Sequence, residues 1–283
     1  MLKWAGGKRQ LFTEIKEYLP PSYNKFYEPF IGGGAVFFNI GRPNSVIGDY
    51  NPELINFYNI VKNNHNLLIE SFKQHENTEE YYYKVRSWDR DPNVYAQLSD
   101  VERASRFLYL NKTCFNGIWR VNRNGQNNVP YGYPKTLSID ETNIEKCSRL
   151  LQTTEILCGD FEIIKPSIKK GDFVYFDPPY FPLTETSSFT TYTDVGFDEK
   201  MQIRLKEFCD YINRKRAFFM VSNSSVQKVY KLYQNYHIKQ IYGARMINAN
   251  GNNRGKVKET LIINYTKEKR IDSLLGPLTF PIK

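Results

Sequence analysis

Apolar and polar positions change period several times along the 283-residue chain. QLFTEIKEYLPP (10–21) repeats apolar residues at helical spacing and is stopped by Pro20 and Pro21. KFYEPFIGGGAVFFNI (25–40) then runs from a short apolar segment through three glycines into an apolar, helix-like run. SVIGDYNPELINFYNIV (45–61) predicts a strand ending at Asp49 and a helix with Asn51 as N-cap and Pro52 at its first position. Strand, glycine loop, helix, strand and acid together predict the opening of an α/β, doubly wound sheet.

From about Val61 to Thr142 the texture changes. LLIESFKQHE, TEEYYYKVRSW and SDVERASRFLYLNKTCF have helical spacing, the last opening with a capping box of Ser99 and Glu102. In NGIWRVNRNGQNNVPYGYPK, Asn124-Gly125 is a hairpin-turn signal between two polar-aromatic segments. Strand-like runs resume at EILCGDF, DFVYFDPPY, RAFFMVSN, YHIKQIY and TLIINY, with helical patterns at 198–214 and 224–234. No helix separates the last two strands, which predicts an antiparallel final pair and hence a mixed sheet. The expected organisation is a catalytic domain of residues 1–60 and 143–283, with an inserted helical and β-hairpin domain at 61–142.

Composition narrows the function. A 41% hydrophobic chain of this length buries a real core, and the net charge of +9 points to a polyanionic partner. Four scattered cysteines and three histidines suggest neither a disulfide framework nor a metal site, which fits a reducing cytoplasm. No run approaches the ~20 apolar residues that span a bilayer, so no membrane role is expected.

The candidate chemistry lies at strand ends. Gly32, Gly33 and Gly34 fall where a first strand turns into a helix, and serve either a close approach of backbone to a ligand or only a tight turn. Asp49 is placed to bond ribose hydroxyls, or to cap the following helix. GGG rather than GxGxxG favours a nucleoside cofactor other than NAD. FVYFDPPY (173–180) sharpens these alternatives, because Asp-Pro-Pro-Tyr arises by chance in well under ~1% of chains this long. An exocyclic amine such as adenine N6 is a poor nucleophile, its lone pair being delocalised into the ring. The Asp177 carboxylate and the Pro178 carbonyl, aimed at its hydrogens, would free that pair; Pro179 fixes the turn and Tyr180 stacks on the base.

KWAGGK (3–8), EPFIGGG (28–34), GDYN (48–51), GDF (159–161) and DPPY (177–180) occur in the order of the motifs of Dam-type (group alpha, D12 class) DNA adenine methyltransferases, which this chain resembles from Lys3 to about Tyr265. The resemblance implies a Rossmann-like methyltransferase fold. It implies S-adenosyl-L-methionine as cofactor, S-adenosyl-L-homocysteine as product, no metal, and double-stranded DNA as partner. Trp4, Lys8, Asp49 and Asp177 would contact the cofactor, helped by the Phe30, Gly32 and Gly34 loop, with Asp160 and Phe161 at its adenine. The methyl group would pass to N6 of an adenine flipped out of the duplex.

For DNA reading, the basic-aromatic hairpin is either a reader or a solvated surface. By resemblance, Phe115 and Asn116 would wedge into the gap left by the adenine and Arg120 would read a guanine. Lys3 would assist, Ile118 and Pro130 would cover a thymine methyl, and Asn122 and Arg123 would add contacts, a set suited to GATC. Tyr133-Pro134 departs from the Arg-Tyr frequent in the family and leaves the first base open. Arg245, Arg254, Lys256 and Lys258 suit phosphates or form a generic basic surface. The Ser/Thr-rich stretch after DPPY suits a lid or an ordinary loop. The implied protein is a cytoplasmic, nucleoid-associated monomer, with a restriction endonuclease as a possible genetic partner. A different adenine site, an RNA methyltransferase and a catalytically silent DNA-binding relative are the alternatives.

Overall fold

The structure, a computed structural model, describes residues 1–181, 197–244 and 256–266. In chain order, the described elements begin with α1 (Phe12–Glu17), β1 (Phe26–Glu28), α2 (Ala35–Ile40), β2 (Val46–Asp49), α3 (Pro52–Phe72), α4 (Glu79–Arg86), α5 (Pro92–Gln97) and α6 (Asp100–Thr113). They continue with α7 (Glu141–Leu151), β3 (Glu155–Cys158), β4 (Phe173–Phe176), α8 (Glu199–Arg214), β5 (Phe218–Ser224), α9 (Gln227–Leu232), β6 (His237–Ala244) and β7 (Lys256–Ile263). Two compact units result, one of Met1–Gly7 with Ile31–Asp160, the other of Lys8–Phe30 with the described part of Phe161–Lys283. The expected domain boundaries at 60/61 and 142/143 fall inside α3 and the first turn of α7.

The second unit carries five strands in the order β1-β4-β5-β7-β6. β4 runs parallel to β1 and to β5, with Phe173 opposite both Phe26 and Phe218. All four residues of β4 are fully buried, as expected for a strand covered on both faces. Asp172 ties its start, accepting the Lys25 and Lys169 N–H groups at 3.2 and 2.8 Å and the Tyr27 hydroxyl at 3.3 Å. β7 lies antiparallel to β5 and β6, so the final pair is antiparallel as predicted.

In the first unit, β2 and β3 pair in parallel from Val46–Glu155 to Asp49–Cys158. Asn51 caps α3, its side-chain oxygen accepting the Glu53 and Leu54 N–H groups at 3.0 and 3.3 Å. The two helical patterns that look separate in sequence are one element kinked at Asn64 (φ −140°). α3 packs on α6 through Phe57 and Phe107, ring centroids 5.7 Å apart, and α6 carries the Ser99–Glu102 capping box. α7 has no counterpart in the predicted pattern. Its four buried residues, Ile144, Cys147, Ser148 and Leu151, nevertheless fall at the i, i+3, i+4, i+7 spacing of one helix face. The class is α/β with a mostly parallel strand arrangement, consistent with a Rossmann-like methyltransferase fold.

His75 closes the α3–α6 core. Its ring stacks on Tyr109 at 4.4 Å and bonds the Tyr81 and Ser105 hydroxyls, both at 3.1 Å. Burial pushes its pKa from 6.5 down to about 4, so the folded state holds it neutral. A group whose folded pKa is depressed gives stability that is whole above its unfolded pKa and lost as pH falls through the folded one. Urea midpoints should therefore drop between pH 6.5 and 4, and His75→Gln should flatten that part of the profile.

Candidate active site and nucleic-acid interface

Four side chains of the second unit meet at the end of β4. Lys8 Nζ lies 2.9 Å from Asp177 Oδ1 and 3.8 Å from Glu259 Oε2, and sits 4.8 Å from the centre of the Tyr180 ring. The Tyr180 hydroxyl donates to Glu259 Oε2 at 2.7 Å. Burial pushes the Asp177 carboxyl above its usual range, while the Lys8 ammonium and a bond to Tyr180 pull it back. Glu259 is raised for the same first reason, against Lys8 and Tyr180, with Asp177 raising it further. A buried carboxylate without its cation would carry a large desolvation cost, so Lys8 is what keeps an acid tolerable here.

The turn itself is clamped from behind. Gln202 of α8 donates to the Pro179 carbonyl at 2.8 Å and accepts from Asn223 of β5 at 3.1 Å. Asn223 takes the Phe181 N–H at 3.4 Å, and Ser224 donates to the Phe181 carbonyl at 3.0 Å. Gln202 and Asn223 are buried, so the turn is set by a dry polar network. Nearby, Phe161 is 3% exposed. It stacks on Phe30 at 5.5 Å, touches Phe197 and Phe208, and lies under the Arg204 guanidinium at 4.8 Å.

In the first unit the glycine loop is built around Trp4. A Cβ on Gly32 would meet Trp4 Nε1 at 2.7 Å, and one on Gly33 would meet Trp4 Cβ at 2.9 Å. Gly32 and Gly34 also take φ of +45° and +70°, a region where side chains are disfavoured. Asp49 is tied to this loop, accepting the Gly32 N–H at 3.1 Å with Oδ2 and the Asn51 N–H at 3.0 Å with Oδ1. Burial raises its pKa, opposed by N–H donors from Asn51, Gly32 and Tyr50. The capping reading of Asp49 fails, because it is the Asn51 side chain that caps α3. Tyr50 beside it is 69% exposed. Asp160 follows β3 after Gly159, whose N–H donates to the Asp49 carbonyl at 3.0 Å.

The hairpin predicted around Asn124-Gly125 is present, closed by Asn122 N–H to the Gln126 carbonyl at 2.8 Å and by an isolated bridge between Val121 and Asn127. A second bridge, Cys114 to Tyr131, joins its base to the end of α6. The two halves make no longer ladder, and an isolated pair of strands is marginal in water. Side chains replace the missing strand. Asp89 Oδ2 accepts the Asn127 N–H at 2.8 Å, Arg90 donates to the Asn127 carbonyl at 2.8 Å, and Arg86 and Tyr82 both donate to the Val129 carbonyl at 2.8 Å. Arg106, 2% exposed, pairs with Asp89 Oδ2 at 2.8 Å and donates to the Val85 and Arg86 carbonyls.

The outward side carries the expected readers. Phe115 is 54% exposed, with Asn116 beside it in the left-handed region at φ +57°. Arg120 bonds the Asn128 side chain at 2.7 Å, Asn122 bonds Gln126 at 3.0 Å, and Arg123 and Pro130 are exposed. Ile118 is half-buried. The Lys3 backbone is locked on both sides by Asn111, at 2.9 and 2.7 Å, and its stem lies where a Cβ on Gly117 would be, 2.3 Å from Cδ. Tyr133, 68% exposed, holds φ +50° immediately before Pro134, a backbone state disfavoured for a non-glycine residue. Arg245, Arg254 and residues 182–196 lie outside the described residues.

The acid and proline turn at a buried strand end, the glycine loop against a tryptophan, and the basic-aromatic hairpin all lie within one matched stretch. Residues 4–247 match the D12 class N6 adenine-specific DNA methyltransferase. The chain belongs to that family. It is 45% identical over 268 residues to the type II methyltransferase M1.LlaDCHI of Lactococcus lactis subsp. cremoris, covering 93% of this chain and 94% of that one. The type II methyltransferase M.MjaIII of Methanocaldococcus jannaschii is 42% identical over 93% of this chain and 98% of its own. A DNA adenine methylase of Haemophilus influenzae is 36% identical, with coverage of 93% and 92%.

Several residues of this DNA adenine methyltransferase escaped the sequence patterns. Glu259 is a lone acid in the strand run KVKETLII, and that interruption was its only signal. Gln202 and Asn223 look like ordinary helix and strand-end polars, and Asp89 like a turn residue. The hairpin supplies a direct test. Asp89→Ala leaves the buried Arg106 charge without its carboxylate and should cost about 3 kcal/mol in urea unfolding, by analogy with broken buried pairs. Asp89→Asn, which keeps an acceptor, should cost clearly less.

Proposed function

We propose that this methyltransferase transfers a methyl group from S-adenosyl-L-methionine to N6 of adenine in double-stranded DNA, within a GATC site, on a base turned out of the helix. The observation that carries the reading is Asp177 at the end of buried β4, its carboxylate followed directly by the carbonyl of buried Pro178. Those two acceptors suit the two hydrogens of an exocyclic amine. Accepting both draws the nitrogen toward tetrahedral geometry and frees its lone pair. Tyr180 presents a ring to the base, and Gln202 holds the turn at the required angle through Pro179.

The residues present fit the cofactor. Gly32 and Gly33 let the loop pack directly against Trp4, and Asp49 offers carboxylate oxygens beside the exposed Tyr50 ring, a pairing suited to ribose hydroxyls and a purine. Trp4, Lys8, Phe30, Gly34, Asp160, Phe161 and Asp177 complete the proposed holding set. When bound, the cofactor supplies an electrophilic methyl on a sulfonium. The chain orients the amine toward it and excludes water, with no strong base required.

DNA contact is assigned to Lys3, Phe115, Asn116, Ile118, Arg120, Asn122, Arg123 and Pro130, and to Arg245 and Arg254 in the final hairpin. Residues 61–142 act as the recognition region, and one monomer suffices for one adenine. The enzyme works in the cytoplasm on the nucleoid, with a restriction endonuclease as genetic partner. Tyr133-Pro134 favours a second reading in which the first base of the site differs from G.

Labelled cofactor offered with a GATC duplex, single-base variants of it and an RNA of the same sequence should label the GATC duplex alone. Label spread over first-position variants would replace GATC with the second reading, and an unlabelled set of duplexes would refute the cofactor and substrate reading together. Asp177→Ala should lower transfer by about 10³-fold or more, the scale of a lost transition-state contact. DNA affinity in the same variant should remain near wild type by fluorescence anisotropy.

A further inference from the structure

Lys8 is 2% exposed, and its single positive charge faces two carboxylates on different elements. Asp177 follows β4 and holds the ammonium at 2.9 Å; Glu259 of β7, opposite Ser224 of β5, stands at 3.8 Å. Glu259 also accepts the Tyr180 hydroxyl at 2.7 Å. The other titratable groups facing this corner are Tyr175, whose hydroxyl bonds Ser222 at 2.8 Å, and Glu28, which acts on Tyr175 electrostatically. Asp177 therefore has one oxygen engaged before any substrate arrives. An adenine amine needs an acceptor there, and an ammonium displaced from Asp177 into a buried corner would lack a counter-ion unless a second carboxylate were at hand.

We propose that Glu259 is a positioning residue for methyl transfer: it anchors the Tyr180 ring by its hydroxyl and receives the Lys8 ammonium, freeing Asp177 for the amine. This rests on the reading that Asp177 accepts the adenine amine. The step moves one ammonium by about an ångström, makes and breaks no covalent bond, and leaves the total charge of the corner unchanged. Glu259 touches neither substrate nor cofactor in this scheme; it acts through Lys8 and Tyr180.

Glu259→Gln keeps an acceptor for Tyr180 and deletes the charge. With the full-length enzyme and a methylatable duplex, kcat should fall about 10²-fold, the scale of a misplaced reacting group, with KM for DNA and cofactor little changed. With Lys8 left wholly to Asp177 and a neighbouring negative charge gone, Asp177 should hold its proton less tightly. The acid limb of the kcat–pH profile should then move to lower pH, a change that loss of packing alone would not produce. Lysine-selective NMR of the ligand-free chain should show the Lys8 side-chain resonance displaced in Glu259→Gln, independently of turnover.

An unchanged kcat and acid limb in folded Glu259→Gln, or an unmoved Lys8 resonance, overturns the role of Glu259 while leaving the methyl-transfer reading intact. A wild-type chain that labels no duplex overturns that reading first, and this inference with it. If Glu259→Gln does not fold, Glu259→Asp decides: charge retained but Tyr180 out of reach should lower kcat about tenfold with the acid limb in place, and an unaltered kcat overturns the proposal.

Discussion

A negative charge at the end of a fully buried strand is the constraint around which this methyltransferase is arranged. Asp177 follows four residues with no solvent exposure, where an unpaired carboxylate would protonate rather than act as an acceptor. Lys8 supplies the cation, and the means of delivering it are visible in the fold. The Lys8 carbonyl accepts the Leu11 N–H at 3.1 Å at the entrance to α1. Glu14 of α1 accepts the Tyr242 N–H of β6 at 3.1 Å, and the Tyr18 carbonyl accepts the Tyr265 hydroxyl at 2.8 Å. A short, otherwise unremarkable helix is thus pinned at both ends so that one ammonium reaches one acid.

The basic-aromatic hairpin obeys a related rule with the polarity reversed. There the backbone needs donors, and Arg86, Arg90 and Tyr82 provide them to Asn127 and Val129 in place of a neighbouring strand. Alternation along the hairpin then sends Asn128, Pro130 and Arg120 to the other side. Basic residues in this region consequently divide into two kinds. Arg106 and Arg86 hold protein carbonyls, while Arg120 and Arg123 stand on the outer side.

How much of this was legible in sequence depended on the range of the interactions. Local signals came through: Asn51 as a cap, the Ser99–Glu102 box, the Asn124-Gly125 turn and the strand before Asp177 each rest on neighbours a few residues away. The meeting of Lys8 with Asp177 was not legible: motif resemblance implied only that each contacts the cofactor, and no spacing rule links positions so far apart. Glu259 and Gln202 carried no signal of their own, since a partner's identity is invisible until the chain is folded. α7 is a different case: Ile144, Cys147, Ser148 and Leu151 stand at the spacing of one helix face, so a local signal was present there too. Asp49 shows the converse case, a residue whose place was clear and whose capping role belonged to its neighbour.

The parallel pairing of β1 with β4 has a bearing on how the chain is made. Phe26 meets Phe173, and the Lys25 N–H waits for Asp172. At ordinary translation rates of roughly 5–20 residues per second, β1 leaves the ribosome on the order of ten seconds before its partner exists. During that time FYEPF is an apolar segment with unmet backbone groups, the kind of sequence chaperones hold. Asp177 and its lysine are thus united late in synthesis, and a nascent chain truncated before β4 can hold neither the charge pair nor the central strand that buries it.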